Sequence, residues 1–521
     1  MLIFLLQVRD LLSDAPFEIY LFALFTALVW LIWLVKVVLS ARYRTWTEPC
    51  HATTSVVIPV VDEPLDLFHD VLRRITEQQP HEVVVVINGP RNTALESVCD
   101  DFPQVRRIWT PVAGKRNAVA IGVEVSTGEI IALVDSDTIW TPHTLTELVK
   151  PFNDPKVGGV TTRQRILDPR RKFITRWADW LENSRALYAM PAQSALGQVG
   201  CLPGRTIAFR RDVLVRAMPQ FLGEEFLGIF LEVSDDRTLT NLTLKQGYRT
   251  VYQHTSLVYT DAPLRLRKMA KQQLRWARGS QYNTLRMLPW MTGHAPVLGF
   301  FFVMDILLPF LLLGTWAGGL YRTLTQSGYN FYKPLLELRP GWQGVLLLVG
   351  LVVAASWLSM ALRQMRHLRE VPRDLLLLPA YIVFSTFFLM PIRLLGFFRM
   401  AHVASWGTRA HAYSADTSDG VLDVAEDALR TDAAPPAIDT ALPSVGDTPP
   451  SGVPVAGAGH GPHAATRTAP DTRAARRTET LTYVRTQPAP PARRRRLNPK
   501  AAVPYLLGGA LLSVEALAYV L

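Results

Sequence analysis

The sequence predicts an α/β protein, a doubly wound sheet set beside transmembrane helices. Three observations carry that reading. Short β-branched runs alternate with helical stretches between residues 55 and 261. Each of those runs stops at polar or acidic residues. Long uncharged runs lie outside the region, before residue 40 and after residue 290. The 521 residues suffice for several structural units at about 150 residues each. Hydrophobic residues are 49% and charged residues 19%, which excludes a wholly disordered chain. Three cysteines, Cys50, Cys99 and Cys201, without paired spacing exclude a disulfide-rich fold. The net charge is +11. The arginines crowd beside apolar runs, which favours a membrane protein with basic cytoplasmic flanks over a nucleic-acid binder.

Residues 1–45 read as an N-terminal transmembrane helix. The run 19–35, extended by 37–39, carries Trp30 and Trp33 and is long enough to span a bilayer. Asp14 and Glu18 precede it; Lys36, Arg42 and Arg44 follow it. That asymmetry places the next segment, 50–265, in the cytoplasm. Within it, Val83-Val-Val-Val-Ile87 and Ile130-Ile-Ala-Leu-Val134 are continuous apolar runs, as strands buried on both faces require. Ser55-Val-Val-Ile-Pro59 is a third strand, and 65–78 and 117–125 read as helices. Asp62, Glu63, Asn88 and Asp135 fall at or just beyond strand ends, where ligands bind in such sheets.

Segment 266–409 reads as interfacial and transmembrane helices followed by a loop. Its apolar runs are 297–321 (broken by Asp305 and Pro309), 341–362 and 375–392. Residues 410–497 have the composition of a disordered tail. Residues 498–521 form a last, marginal transmembrane helix containing Glu515. The four arginines at 493–496 put the tail in the cytoplasm with the α/β domain. An even number of crossings must then separate them, so 375–392, short and bounded by Pro379 and Pro391, is expected to lie in the interface without crossing.

Asp135-Ser-Asp137-Thr138 sets two carboxylates at a strand exit, hard oxygen ligands suited to Mg²⁺ or Mn²⁺ on a diphosphate. Alone, the pair equally suits a helix N-cap and turn. Lys115 and Arg116 open a helix, where cations oppose the helix dipole and suit a phosphate. Ser234-Asp235-Asp236-Arg237 also opens a helix. Capping explains one acid but not two, and mutual repulsion raises one pKa towards that of a general base. Gln272, Arg275 and Trp276 share a helical face in a basic stretch. Trp offers a stacking surface for sugar and Arg a fork for phosphate; an amphipathic helix on an acidic membrane explains the stretch equally. Cys201-Leu-Pro-Gly204-Arg205 and Trp406-Gly-Thr-Arg409 say little in isolation.

Taken together and in this order, Asp-Ser-Asp-Thr, Ser-Asp-Asp-Arg-Thr-Leu-Thr-Asn241, Gln-Gln-Leu-Arg-Trp and Trp-Gly-Thr-Arg resemble the processive, membrane-embedded family 2 glycosyltransferases. The nearest likeness is to hyaluronan synthases, with cellulose, chitin and alginate synthases as relatives, over about residues 15–409. The resemblance implies a GT-A-type mixed sheet and a multi-pass protein of the plasma membrane. It implies a hexosyltransferase that polymerises a nucleotide sugar, with UDP first, into an extracellular polysaccharide and exports it. Its partners would be the nucleotide sugar, the growing glycan or a lipid-linked acceptor, and the bilayer, but no nucleic acid. By motif, Asp236 (with Asp235) is implied as catalytic base and Asp137 (with Asp135) as metal ligand for Mg²⁺ or Mn²⁺. Asp62, Glu63, Asn88, Lys115 and Asp135 are implied on the donor side. Cys201, Arg205, Gln272, Arg275 and Trp276 are implied along the acceptor and diphosphate. Trp406 and Arg409 are implied in a gating loop. The chain departs from the family pattern at Val60-Val61, Asn88 and Leu202-Pro203. Two other classes stay open: a non-processive transferase adding one sugar to a lipid or cell-wall acceptor, and a catalytically inactive membrane scaffold.

Overall fold

The computed structural model describes residues 17–231, 233–325, 339, 341–401, 478–479 and 499–520. Helix α1 (Phe17–Ser40) is apolar except for Glu18 and Lys36. Just beyond it, Tyr43 turns into the domain. Its hydroxyl donates to Tyr252 O at 2.8 Å and accepts from His254 N at 3.0 Å, which fastens the span to the sheet.

The first half of the domain is the predicted wound sheet. Strands β1 (Thr54–Val60), β2 (Glu82–Asn88), β3 (Val105–Thr110) and β4 (Ile130–Val134) lie parallel in the order β3-β2-β1-β4. Every residue of β1 and β4 is buried, as their unbroken apolar sequences required. Crossovers are α2 (Leu65–Thr76), α3 (Thr93–Asp100) and α4 (Lys115–Val125). Helix α4 begins two residues earlier than its hydrophobic pattern suggested. Gly114, at φ 121°, turns the chain so that Lys115 and Arg116 are its first residues. The strand order reverses between β1 and β4, which opens a crevice beyond their carboxyl ends.

The second half was less legible. It adds β5 (Thr138–Trp140), α5 (Thr144–Val149), β6 (Val157–Ile166), α6 (Phe173–Ser184), α7 (Met190–Ala195), β7 (Thr206–Arg210) and α8 (Arg211–Leu222). A hairpin of β8 (Glu225–Phe226) and β9 (Ile229–Phe230), then α9 (Asp235–Lys245) and β10 (Arg249–Thr260), complete it. The sheet continues β4-β7-β6-β10-β5, with β7 antiparallel to both neighbours. Strand β6, VGGVTTRQRI, lacks a clean apolar run because its far end faces the crevice and carries Gln164.

The remaining helices are α10 (Leu266–His294), α11 (Pro296–Thr325), α12 (Trp342–Arg363), α13 (Met365–Glu370), α14 (Leu378–Phe384), α15 (Met390–Phe398) and α16 (Val503–Val520). Helix α11 runs through both Asp305 and Pro309. Among the described residues, four stretches are long and apolar enough to cross a membrane: Tyr20–Ser40, Pro296–Tyr321, Trp342–Arg363 and Leu378–Phe398.

The last of these corrects the expected short segment 375–392. The helix continues to Phe398 because a π-turn, Ser385–Leu389, directly precedes Pro391. Wider π winding removes the clash between the proline ring and the preceding turn, so the proline does not end the helix. The same device, Arg185–Ala189 before Pro191, joins α6 to α7. Length alone would let 378–398 cross. It packs on domain-side helices, with Trp177 of α6 donating to Ser385 Oγ at 3.0 Å and Gln281 of α10 donating to Arg393 O at 2.9 Å. It packs also on the apolar helices, with Phe397 meeting Phe310 of α11 at 5.2 Å and Phe398 meeting Tyr505 of α16 at 5.7 Å.

Trp177 is fully buried and meets Phe384 and Phe388 edge-on at 4.8 and 5.9 Å. Replacing Trp177 by Ala is expected to lower stability by about 3–5 kcal/mol, read as unfolding in detergent by denaturant. Thr478–Glu479 (β11) pairs parallel with Arg107 and Ile108 on edge strand β3. Trp406 and Arg409 of the expected gating loop, and the 410–497 tail apart from Thr478–Glu479, lie outside the described residues.

Candidate active site

The crevice beyond β4 opens into one cavity of about 760 Å³. Ten of the residues singled out from the sequence line it: Lys115, Asp135, Asp137, Cys201, Arg205, Asp235, Asp236, Gln272, Arg275 and Trp276. Phe301, Phe302 and Asp305 of α11 and Trp33 of α1 line the same cavity.

The acid turn is built by the strand ends around it. Asp135 N–H donates to Arg205 O at 3.0 Å, and Thr138 N–H closes the turn on Asp135 O at 3.1 Å. Ser136 donates to the buried Glu63 carboxylate at 2.6 Å. Glu63 therefore braces the turn from behind and does not line the cavity. Lys115 Nζ lies 2.5 Å from Asp135 Oδ1. Burial alone would push the Lys115 ammonium down. Asp135, with Asp235 and Asp236 beyond it, instead holds it above the ordinary lysine value.

Among the described residues no three His, Cys, Asp or Glu side chains gather into a metal cage. Asp135 and Asp137 supply two hard oxygen donors at the cavity wall. That donor set suits a divalent ion of the Mg²⁺ or Mn²⁺ type, which takes the rest of its shell from diphosphate and water.

The pair Asp235-Asp236 divides. Asp236 Oδ1 accepts from Arg237 N–H at 2.8 Å, and Oδ2 accepts from Gly204 N–H at 3.2 Å and faces the Cys201 thiol at 3.8 Å. Burial raises its carboxyl above the usual aspartate value. The Arg237 amide and Lys115 pull it back, and Asp235 pushes it up again. Asp235 instead turns to Arg116, whose Nε lies 2.7 Å away. The sequence had placed both acids at the reaction; an arginine holds one of them. Burial lifts the Cys201 thiol to about 12, so it is a thiol, not a thiolate.

On the opposite wall, Arg205 bonds Gln164 Oε1 at 2.9 Å, pairs with Glu182 at 3.1 Å and places its guanidinium 5.7 Å from the Trp276 ring. Trp276 is 40% exposed, which leaves its other face to the cavity. Asp62 is exposed at the end of β1 and Asn88 is buried, and neither lines the cavity. Asn88 donates to Val60 O at 3.2 Å and accepts from Gly114 N–H at 3.1 Å, so it ties β1 to the start of α4. Sequence reasoning missed Glu182 and Gln164, which carry no motif. It also passed over Arg185, another cavity residue, whose place on a π-turn was the only signal.

Comparisons with known proteins agree with this geometry. The family described as "Glycosyltransferase like family 2" matches residues 51–279. A hyaluronan synthase of Streptococcus pyogenes is 25% identical over 387 residues, 72% of this chain and 88% of that protein. An N-acetylglucosaminyltransferase of Rhizobium meliloti (strain 1021) is 32% identical over 267 residues, 49% of this chain and 61% of that protein. A solved structure, the mannosyltransferase PcManGT from Pyrobaculum calidifontis in complex with GDP-Man and Mn²⁺, shares the fold. Its TM-score is 0.50 at 18% identity, covering 75% of this chain and 99% of that one. The chain is thus a glycosyltransferase built on a GT-A sheet, its residues 51–279 similar to family 2, beside helices long and apolar enough to cross a membrane.

Proposed function

We propose that the protein is an inverting transferase that extends a polysaccharide from a nucleotide sugar on the cytoplasmic face and passes the chain into the membrane. The observation that supports this most is that one cavity is lined both by Asp137, Asp236 and Trp276 and by Asp305 and Trp33 on two apolar helices. A non-processive enzyme needs no space beyond its acceptor subsite. UDP is the nucleotide to test first, and N-acetylglucosamine, named in the Rhizobium relative, the sugar.

Asp236 is the base. The acceptor hydroxyl oxygen attacks the anomeric carbon, the bond from that carbon to the diphosphate oxygen breaks, and the hydroxyl proton passes to Asp236. Lys115 and Arg275 offer positive charge to the departing diphosphate, the kind of electrostatic aid that is often the largest catalytic term. Asp135 and Asp137 would hold a divalent ion, which supplies further charge neutralisation at the same oxygens. Trp276 presents a flat apolar face on which the acceptor sugar stacks, with Arg205 behind it.

Topologically, α1, α11, α12 and α16 cross, and 378–398 lies along the interface on α6 and α10. Pairing of Thr478–Glu479 with the edge of the sheet supports a tail on the domain's side. That requires the even number of crossings the charge pattern implied.

Gly204 comes within reach of the base only because it has no side chain: a Cβ there would stand 3.3 Å from Asp236 Cβ. Gly204→Ala is expected to lower the transfer rate about tenfold with nucleotide affinity unchanged, as measured by steady-state kinetics. The deciding experiment is a screen of UDP- and GDP-sugars on purified, lipid-embedded protein. It reads nucleoside diphosphate release and product size. Long polymer supports the proposal. A single addition favours the non-processive reading, and no release with any donor removes the assignment.

A further inference from the structure

Behind the cavity wall, reaching it only through Asp235, lies a group of four charges that the transfer chemistry does not use. Arg116, second residue of α4, is 3% exposed. Its Nε donates to Asp235 Oδ1 and its Nη2 to Glu224 Oε2, each at 2.7 Å; Nη1 donates to Phe221 O at 2.8 Å and Nη2 also to Val233 O at 3.1 Å. Arg286 of α10 pairs with the other oxygen of Glu224. Thr238 of α9 donates to Glu224 Oε2 at 2.6 Å, and Tyr282 of α10 donates to Val233 O at 2.9 Å. Two arginines and two carboxylates make the group electrically neutral.

Stability alone does not call for this arrangement. Helix α4 already buries Ala118, Val119, Ile121 and Val123 against the sheet. A buried ion cluster gains little over apolar side chains of the same volume, because each ion must leave water. A fork of hydrogen bonds does something apolar packing does not: it fixes register between the elements it joins. Those elements are the ones that carry the site. Arg116 follows Lys115 in the chain, and Asp235 precedes Asp236. Helix α10, reached through Arg286 and Tyr282, carries Gln272, Arg275 and Trp276. The start of α9 is confined from this side too. Ser234 adopts φ 62°, and a Cβ on Gly279 of α10 would meet its Cβ at 2.6 Å.

We propose that Arg116, with Glu224, is a positioning residue for transfer: the quartet sets the distance between Lys115 at the diphosphate, Asp236 at the acceptor hydroxyl and the acceptor face of α10. The inference rests on the roles given to Lys115 and Asp236 above. Misplacement of reacting groups by about 1 Å costs up to about 10²-fold in rate, whereas each subsite keeps its own contacts.

The test uses the full chain in lipid, with Arg116→Lys, Asp235→Asn and Tyr282→Phe. Lysine keeps the charge but one ammonium does not span four acceptors. Asparagine keeps the volume, and phenylalanine removes only the hydroxyl on Val233 O. For the first two, kcat is expected to fall about 10- to 10²-fold, with donor KM and UDP affinity within about threefold; for Tyr282→Phe the same split is expected at about threefold. Hydrogen exchange should quicken together at 115–119 and 234–240 while β1 and β2 keep their protection. A kcat within twofold of the parent in any folded variant of Arg116 or Asp235 overturns the proposal. So does exchange that quickens across the whole sheet. If Arg116→Lys does not fold, the isosteric Asp235→Asn and Tyr282→Phe decide. Asp236→Asn is run alongside: transfer surviving there removes the base assignment. Should the parent itself transfer nothing, the exchange arm still decides whether the quartet couples the two segments.

Discussion

Replacing Asp236 by Asn is expected to abolish sugar transfer while leaving nucleotide binding intact and making the folded protein more stable at neutral pH. The loss in rate should be at least that of a positioned general base, about 10²–10⁴-fold. The amide keeps the shape of the side chain, but with one acceptor oxygen it keeps only one of the two bonds that the carboxylate accepts from Arg237 N–H and Gly204 N–H. It does not take a proton. The stability gain follows from the sign of the pKa shift. Burial raises the folded-state pKa of Asp236, so folding disfavours its ionised form. The protein therefore gives up stability as pH rises from the unfolded aspartate value through the raised folded one, and it stays the poorer by that amount above it. Asparagine has no ionised form to penalise. In the parent, the same shift places the acid limb of the rate profile above the ordinary aspartate range. Three measurements check this: the melting midpoint of parent and variant at neutral pH, UDP affinity, and initial rate against pH. A variant that transfers sugar normally ends the base assignment.

Replacing Asp137 by Ala is expected to remove the metal-dependent part of nucleotide binding. Titration of UDP in Mn²⁺ and again in chelator should show a large difference for the parent and little for the variant. Transfer should fall about 10²-fold or more, in line with the loss of other electrostatic contacts to developing charge. Asp135 is expected to give a mixed effect, because its Oδ1 also holds Lys115 at 2.5 Å. On the proposed roles, its loss would remove a metal donor and free the cation meant for the diphosphate at once. Unchanged Mn²⁺ dependence in Asp137→Ala would move the ion's carboxylate elsewhere.

Much of the site was legible because its chemistry is local. Continuous valines and isoleucines mark β1, β2 and β4 as strands with no solvent face, and the first polar residue after such a strand stands at the ligand edge. Thus Asp135 and Asp137 were located from the chain alone, as was the helical face of Gln272, Arg275 and Trp276. Asn88 was not. It occupies the right strand end, yet its amide is used on Val60 O and Gly114 N–H, partners 28 and 26 residues away. Glu63 likewise braces Ser136 across 73 residues. The stretch 375–392 was misjudged in length because proline ends a regular α-helix but follows a π-turn without ending it.

The amino-acid order by itself located ten of the residues that line the cavity and a wound sheet beside long apolar helices. Hydrophobic period and strand-end chemistry act over a few neighbouring residues. Only the folded chain decided between Asp235 and Asp236. Adjacent residues on a helix point about 100° apart, so which carboxylate Arg116 holds and which is left to the Gly204 and Arg237 amides depends on what α9 packs against. That packing brings in Glu224, Arg286 and Tyr282 from other elements, and no local pattern encodes such contacts.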